Sequence, residues 1–293
     1  MTVTIFSDQT LSACREICEK SGSNFTPVFA LLPKEQKEAM VVLYSFMRLT
    51  DDISDGEYPQ QIRRNKLDDW KKQLGEILSE NSPDPKNDSP VLKGTKQLVD
   101  HFRVDSRWLF EVIMGVEEDL LFQGYDTETE RDAYCFKVAS VVGLCCLAIW
   151  QGDLAMGMQS AIDTGYAFQR TNILRDLMED FKRGRCYLPK SKLNQFRVEP
   201  CIPTDQIQIQ SWNSLIKSEI HEIEKLFASG QKLLRLLPRP GRAVFSGFLA
   251  IYHAILEQID IDPEVVWKKR VRVSRIRKFL IMAKSIRIKW LGF

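Results

Sequence analysis

Asn172, Asp176 and Asp180 recur every four residues within QRTNILRDLMEDFKRGRCYLP, residues 169–189. On a helix each step of four turns about 400°, so the three oxygen-bearing side chains drift only about 40° per step and share one face. Carboxylates stacked in this way repel one another unless a cation sits among them. Ligands that are all oxygen select a hard divalent ion, Mg²⁺ first and Mn²⁺ second. Regular Asp spacing also describes an ordinary solvated acidic face, and this motif alone leaves both readings open. A second acidic cluster weighs for the cation. Asp51, Asp52 and Asp55 follow the apolar run MVVLYSFMRLT, and Asp51 and Asp55 again stand four apart. Two such faces opposed across a helical bundle would form a metal cage. Tyr44 lies four residues before Arg48 and Arg48 three before Asp51, so all three can edge one cavity.

The elements needed to hold these side chains are helices. Strand-like alternation is almost absent and helical spacing dominates, which predicts an all-α fold, one domain over residues 1–293. The pattern places helices over residues 9–20, 34–55, 60–80 and 106–122, a central apolar helix over 130–152, the motif helix over 169–181, and further helices over 205–237 and 242–260. Residues 79–90, SENSPDPKNDSP, read as an exposed loop. The central helix is apolar nearly all round, with small residues Ala139, Ser140 and Gly143 in its middle. Residues 138–150 are the most apolar run and fall short of the roughly 20 residues that span a bilayer.

Bulk properties are those of an ordinary globular chain: 293 residues, 44% hydrophobic, 27% charged, net charge +2. Seven cysteines, an odd number without a C-x-x-C pair, argue against a disulfide framework or structural zinc. The three histidines, His101, His221 and His253, stand alone, and no nucleophile–His–acid arrangement can be drawn. The charge is unevenly spread. Residues 264–293 hold ten Lys and Arg against one Glu, a net +9, so residues 1–263 carry −7 against the whole-chain +2.

D-D-x-x-D with the upstream Y-x-x-x-R (Tyr44, Arg48), together with Q-x-x-N-I-L-R-D-x-x-E-D-x-x-x-G-R-x-Y-L-P, resembles the squalene/phytoene synthase family of head-to-head trans-prenyltransferases. The resemblance runs from about residue 21 to residue 252 and into the basic tail. It implies a class I isoprenoid synthase bundle with a central cavity for prenyl diphosphate substrates. It implies Mg²⁺, with Mn²⁺ as an alternative, held by Asp51, Asp55, Asn172, Asp176 and Asp180, with Asp52 and Glu179 supporting them. Arg48 and Arg175 would assist departure of the diphosphate, and Tyr44, Tyr134 and Tyr252 would border the reacting centre. Ser21, Ser23, Asn24, Phe25 and Gln169 would contact substrate, and Arg270 or Arg272 would reach the diphosphate. Glu117, Glu118 and Asp119 resemble a rim pattern of the family and equally resemble a solvated helical face.

Within the family, K-S-G-S-x-F, G-V-E-x-D-L and R-V-x-V-S-x-x-R-K are most similar to the bacterial hopanoid-route enzymes that stop at presqualene diphosphate and need no NADPH. Arg170 and Met178 depart from the Leu and Gly common in the second motif. Phytoene, squalene or hydroxysqualene synthesis is the alternative within the family, and a non-catalytic assembly relative the alternative outside it. The tail, WKKRVRVSRIRKFLIMAKSIRIKWLGF, reads as a basic amphipathic segment suited to an anionic membrane surface rather than to nucleic acid. The expected location is the cytoplasm, peripheral at the inner membrane face.

Overall fold

The computed structural model describes residues 5–21, 26–79 and 88–291, and among them there is helix and no strand. In chain order the helices are α1 (Asp8–Lys20), a 3₁₀ turn (Thr26–Leu31), α2 (Lys34–Asp55), α3 (Gln60–Leu78), α4 (Pro90–Phe102) and α5 (Ser106–Leu120). Then come α6 (Glu128–Cys135), a π-helical segment (Phe136–Ser140), α7 (Val141–Ile149), α8 (Leu154–Arg175) and α9 (Leu177–Lys182). The chain continues through α10 (Lys190–Phe196), α11 (Gln206–Gly230), α12 (Leu233–Leu236), α13 (Arg239–Ile261), α14 (Val265–Lys268) and α15 (Arg275–Leu291). The all-α expectation holds.

Local chemistry sets several boundaries. Asp153 starts α8 by accepting from the Met156 amide at 3.0 Å, and Thr127 with Glu130 forms a capping box at the start of α6. The helix expected over 130–152 is interrupted: residues 136–140 widen into a π turn before α7 resumes. Such widenings gather at functional sites, and this one contributes Val138 and Ala139 to the cavity wall. The helix expected over 205–237 stops at Gly230 and restarts as the short α12.

The motif helix also breaks. Asp176 adopts φ −102°, ψ 8°, between α8 and α9. Hydrogen bonds of helical spacing still cross the break, from the Asp176 amide to the Asn172 carbonyl and from the Asp180 amide to the Asp176 carbonyl, each 2.9 Å. The spacing of four therefore survives although the helix bends.

Helices α2, α5, α7, α8 and α13 surround a cavity, and α11 buttresses α8 from outside with Trp212, Ile216, Ile223 and Phe227 buried. An ion network ties α6, α8 and α11 together. Glu219, 1% exposed, accepts from Arg131 at 2.9 Å and from Arg170 at 2.8 Å. The unusual Arg170 is thus answered by a buried carboxylate. Two helical runs, Glu128–Ile149 and Arg239–Ile261, are long and apolar enough to cross a membrane by length and composition alone. In the bundle both turn apolar side chains toward the cavity and the core.

Candidate active site

Tight contacts of the π segment and α7 with α8 fix one wall of the cavity. A Cβ on Gly165 would stand 2.3 Å from the Ser140 Cα, and a Cβ on Gly143 would stand 3.3 Å from the Ala161 carbonyl oxygen. At Gly165 only glycine allows that approach, and at Gly143 a side chain would be tight. The pairing runs antiparallel, so Asn172 lies at one end of the cavity and Trp150 at the other. α13 follows the same axis: the Tyr252 ring stacks on Phe168 at 3.9 Å between centroids, while Phe245 and Phe248 approach Trp150 at 6.4 and 6.3 Å.

The volume is about 390 Å³. Lining residues run from Met40 to Asp51 on α2, from Val138 to Trp150 on the π segment and α7, and from Ala161 to Asn172 on α8. The stretches on α2 and α8 are eleven helical steps each, about 16 Å at 1.5 Å per residue. One end is polar, formed by Tyr44, Asp51, Gln169, Asn172 and Tyr252; the shaft is apolar, and the far end is closed by Trp150, Phe245, Phe248 and Leu237.

Carboxylates crowd the polar end. Asp51 opens onto the cavity and is solvent-accessible there, yet the protein around it removes enough water to raise its pKa to about 7, with the Asp55 charge adding to burial. Burial, then Asp176, lifts Asp180 to about 7, against the pull of Arg183 and Arg185. Asp119 of α5 lies between them. Burial raises it to about 6; Tyr187 and Tyr134 donate to it at 2.8 and 3.0 Å and oppose the rise, as does Arg185, while Asp55 adds to it. Asp119 also raises both Asp51 and Asp180. The two motif clusters therefore share one electrostatic site, with Asp119 as the bridge.

Positive charge rings the same end. Arg175 holds both oxygens of Asp176, at 2.8 and 2.5 Å, and Arg270 holds them from the tail at 2.9 and 3.2 Å. Arg270 also approaches Glu179 at 3.8 Å. Arg48 pairs with Asp52 at 2.6 Å, and Arg185 donates to Tyr187 at 3.4 Å.

Most residues anticipated from the sequence gather here. Tyr44, Asp51, Gln169, Asn172 and Tyr252 line the cavity, and Tyr44 donates to the Ser21 hydroxyl at 3.0 Å. Asp55, Asp176, Asp180, Arg48 and Arg175 stand around its mouth through the pairings above. Of Arg270 and Arg272, Arg270 is the one that contacts Asp176. Val271 and Val273 are buried in an extended segment, and only Arg270 of the exposed pair reaches Asp176. Ser23, Asn24 and Phe25 lie outside the described residues.

Tyr134 does not line the cavity: it is buried behind Asp119, stacked on Tyr187 at 5.3 Å, and acts on the site through that carboxylate. Glu117 and Glu118 turn away, toward Arg64 and Lys137, whereas Asp119 turns in. Asp119 is thus the one of the three rim acids that faces the site, and Tyr187 and Arg185 join it without having been given a role by spacing, although both stand inside G-R-x-Y-L-P.

The donor chemistry fits a divalent cation. Asn172 Oδ1 is buried without a hydrogen-bond partner, and three carboxylates nearby are held protonated well above the usual range. Among the described residues no three His, Cys, Asp or Glu side chains converge into a closed cage. The metal cage expected from the two spacings is therefore not formed by these side chains alone.

A polar, charge-dense mouth above a closed apolar shaft defines a helical site for an amphiphile with an anionic head. Comparison with known proteins gives the family. The model for squalene/phytoene synthase matches residues 18–277, and the chain belongs to that family of prenyltransferases, which condense prenyl diphosphates head to head. It is 29% identical over 287 residues to a 15-cis-phytoene synthase of Synechocystis sp., covering 94% of this chain and 84% of that one. It is 28% identical to phytoene synthase 1 of Solanum lycopersicum, covering 93% of this chain and 68% of that one. Among solved structures, a dehydrosqualene synthase in complex with ligand superposes with a TM-score of 0.80 at 25% identity, covering 97% and 98% of the two chains. The squalene synthase HpnC from Alicyclobacillus acidocaldarius gives 0.76 at 22% identity, covering 86% and 93%, which supports the isoprenoid synthase fold.

Proposed function

We propose that this chain joins two farnesyl diphosphates head to head into presqualene diphosphate and releases one diphosphate. The observation that carries the reading is an apolar shaft ended by Trp150, Phe245 and Phe248 beneath a mouth of carboxylates and guanidiniums. The fifteen-carbon substrate is favoured by K-S-G-S-x-F, G-V-E-x-D-L and R-V-x-V-S-x-x-R-K.

In this reading Asp51, Asp55, Asn172, Asp176 and Asp180 hold Mg²⁺ at the mouth. Bound there, the ion neutralises the diphosphate and makes it a better leaving group. Arg48, Arg175, Arg185 and Arg270 supply further positive charge at the same end. The carbon–oxygen bond at C1 of one substrate breaks and its electron pair leaves with the diphosphate. The 2,3-double bond of the second substrate gives the pair for the new carbon–carbon bond, and loss of a proton closes the cyclopropane. Apolar walls keep water from the cation. The stacked Phe168 and Tyr252 rings, with Tyr44 nearby, offer it π faces.

The relatives named phytoene synthase favour a second reading, phytoene formation from two geranylgeranyl diphosphates. Purified protein incubated with each diphosphate and Mg²⁺, with and without NADPH, separates the two by product mass. Presqualene diphosphate from the shorter substrate, without need of NADPH, is expected. Product from the longer substrate alone would replace the first reading with the second.

A further inference from the structure

Helix α15 has two apolar faces and only one is covered. Ile281, Met282, Ser285 and Ile288 turn inward against α13 and the 3₁₀ turn Thr26–Leu31. The approach is close, because a Cβ on Gly247 of α13 would stand 3.0 Å from the Ser285 Oγ. About half a turn away, Ile276, Phe279, Ala283, Ile286 and Trp290 form a second stripe, spaced three and four residues apart. All five are exposed, with Ile276, Phe279 and Trp290 each more than 70% so. Leu280 and Leu291 widen the stripe, at 61% and 56% exposure.

The charge of the same helix is all of one sign. It carries Arg275, Arg277, Lys278, Lys284, Arg287 and Lys289 and no acidic residue. Lys289 lies over the Trp290 ring at 5.5 Å, so cation and indole are presented together. Six cationic side chains in seventeen residues forbid crossing a bilayer, and the helix is about 25 Å long at 1.5 Å per residue. A second copy paired along this stripe would set six positive charges against six. An anionic lipid surface meets both features at once, taking the aromatic and aliphatic side chains between its headgroups and the basic ones against them.

We propose that α15 docks the protein flat on anionic membrane lipid, with Phe279 and Trp290 inserted. The opposite face of α13 contributes Phe245, Phe248 and Tyr252 to the cavity, so one helix separates the docked surface from the shaft. The inference does not depend on which prenyl chain the cavity takes.

Flotation of the full chain with vesicles tests it. Binding to vesicles of phosphatidylcholine and phosphatidylglycerol in equal parts is expected, with little on phosphatidylcholine alone and loss as salt rises. The double substitution Phe279→Glu and Trp290→Glu is expected to weaken binding about tenfold or more. It should leave helicity and turnover of detergent-dispersed substrate unchanged. Should that variant misfold, Lys284→Ser with Arg287→Ser serves in its place and is expected to weaken binding to the mixed vesicles. Wild-type protein that stays unbound with the mixed vesicles overturns the proposal. So does a well-folded variant, of either kind, that floats as well as wild type. A wild-type dimer that Phe279→Glu and Trp290→Glu convert to monomer overturns it too, by assigning the stripe to a contact between copies.

Discussion

Arg270 of the C-terminal segment grips the carboxylate of Asp176, 94 residues earlier in the chain, through Nε at 2.9 Å and Nη2 at 3.2 Å. Arg175 grips the same carboxylate from the other side. The tail is thereby tied to the point where the motif helix bends. Arg270→Ala is expected to lower kcat/KM for the prenyl diphosphate by about tenfold or more, through the loss of a charge-assisted contact. Arg270→Lys should recover only part of it, because an ammonium cannot match the paired geometry. The pair is partly exposed, so the thermal midpoint should shift little. Steady-state kinetics beside a melting curve separate the two effects.

Asp176→Ala should abolish turnover while the far-ultraviolet circular dichroism stays that of the wild type. The substitution removes a proposed cation ligand and the shared partner of two guanidiniums. Retained turnover would remove Asp176 from the chemistry.

Asp119→Asn keeps the shape of the side chain and removes the charge that links the two motif clusters. A loss of about 10- to 100-fold in activity or Mg²⁺ affinity is expected, the range for groups that position metal ligands. Tyr187→Phe should act in the same direction and less strongly, since Tyr134 still donates to Asp119. Measuring apparent Mg²⁺ affinity in all three proteins checks the order.

Stability should depend on pH in a particular sense. Asp51, Asp119 and Asp180 keep protons in the native state up to about 7, 6 and 7. The unfolded chain releases them near pH 4, so between roughly pH 4 and 7 the native state binds more protons and loses stability as pH rises. A divalent cation bound by these carboxylates would take the place of those protons. Mg²⁺ should therefore raise the melting temperature more at about pH 8 than at about pH 5.5, and equal gains at both would show that these carboxylates do not bind it.

Glu219 is buried between Arg131 and Arg170. Glu219→Ala leaves two guanidiniums in the interior without their shared anion and should destabilise the fold by about 3–5 kcal/mol. Denaturant unfolding measures it.

Much of this architecture could be read from residue order. The bounds of α2 follow its apolar pattern, and both acidic motifs announced themselves through a spacing of four that only a helix makes meaningful. What escaped were choices made by tertiary contacts. Glu117, Glu118 and Asp119 are adjacent, and spacing does not say which turns inward; Arg64 and Lys137 on neighbouring elements draw the first two away. The bend at Asp176 likewise has no local signal, since its cations include one from the far end of the chain. That Tyr134 meets Asp119 instead of lining the cavity is also visible only in the packed structure.

The glycine contacts of α8 with the π segment and α7 set how far apart those backbones stand, whereas the shaft ends on the side chains of Trp150, Phe245 and Phe248. Bore and depth are thus under separate control. A shortened floor residue would admit a longer hydrocarbon without loosening the grip on its flanks, whereas a methyl group added at Gly165 would force the walls apart and spoil the fit for substrates of every length.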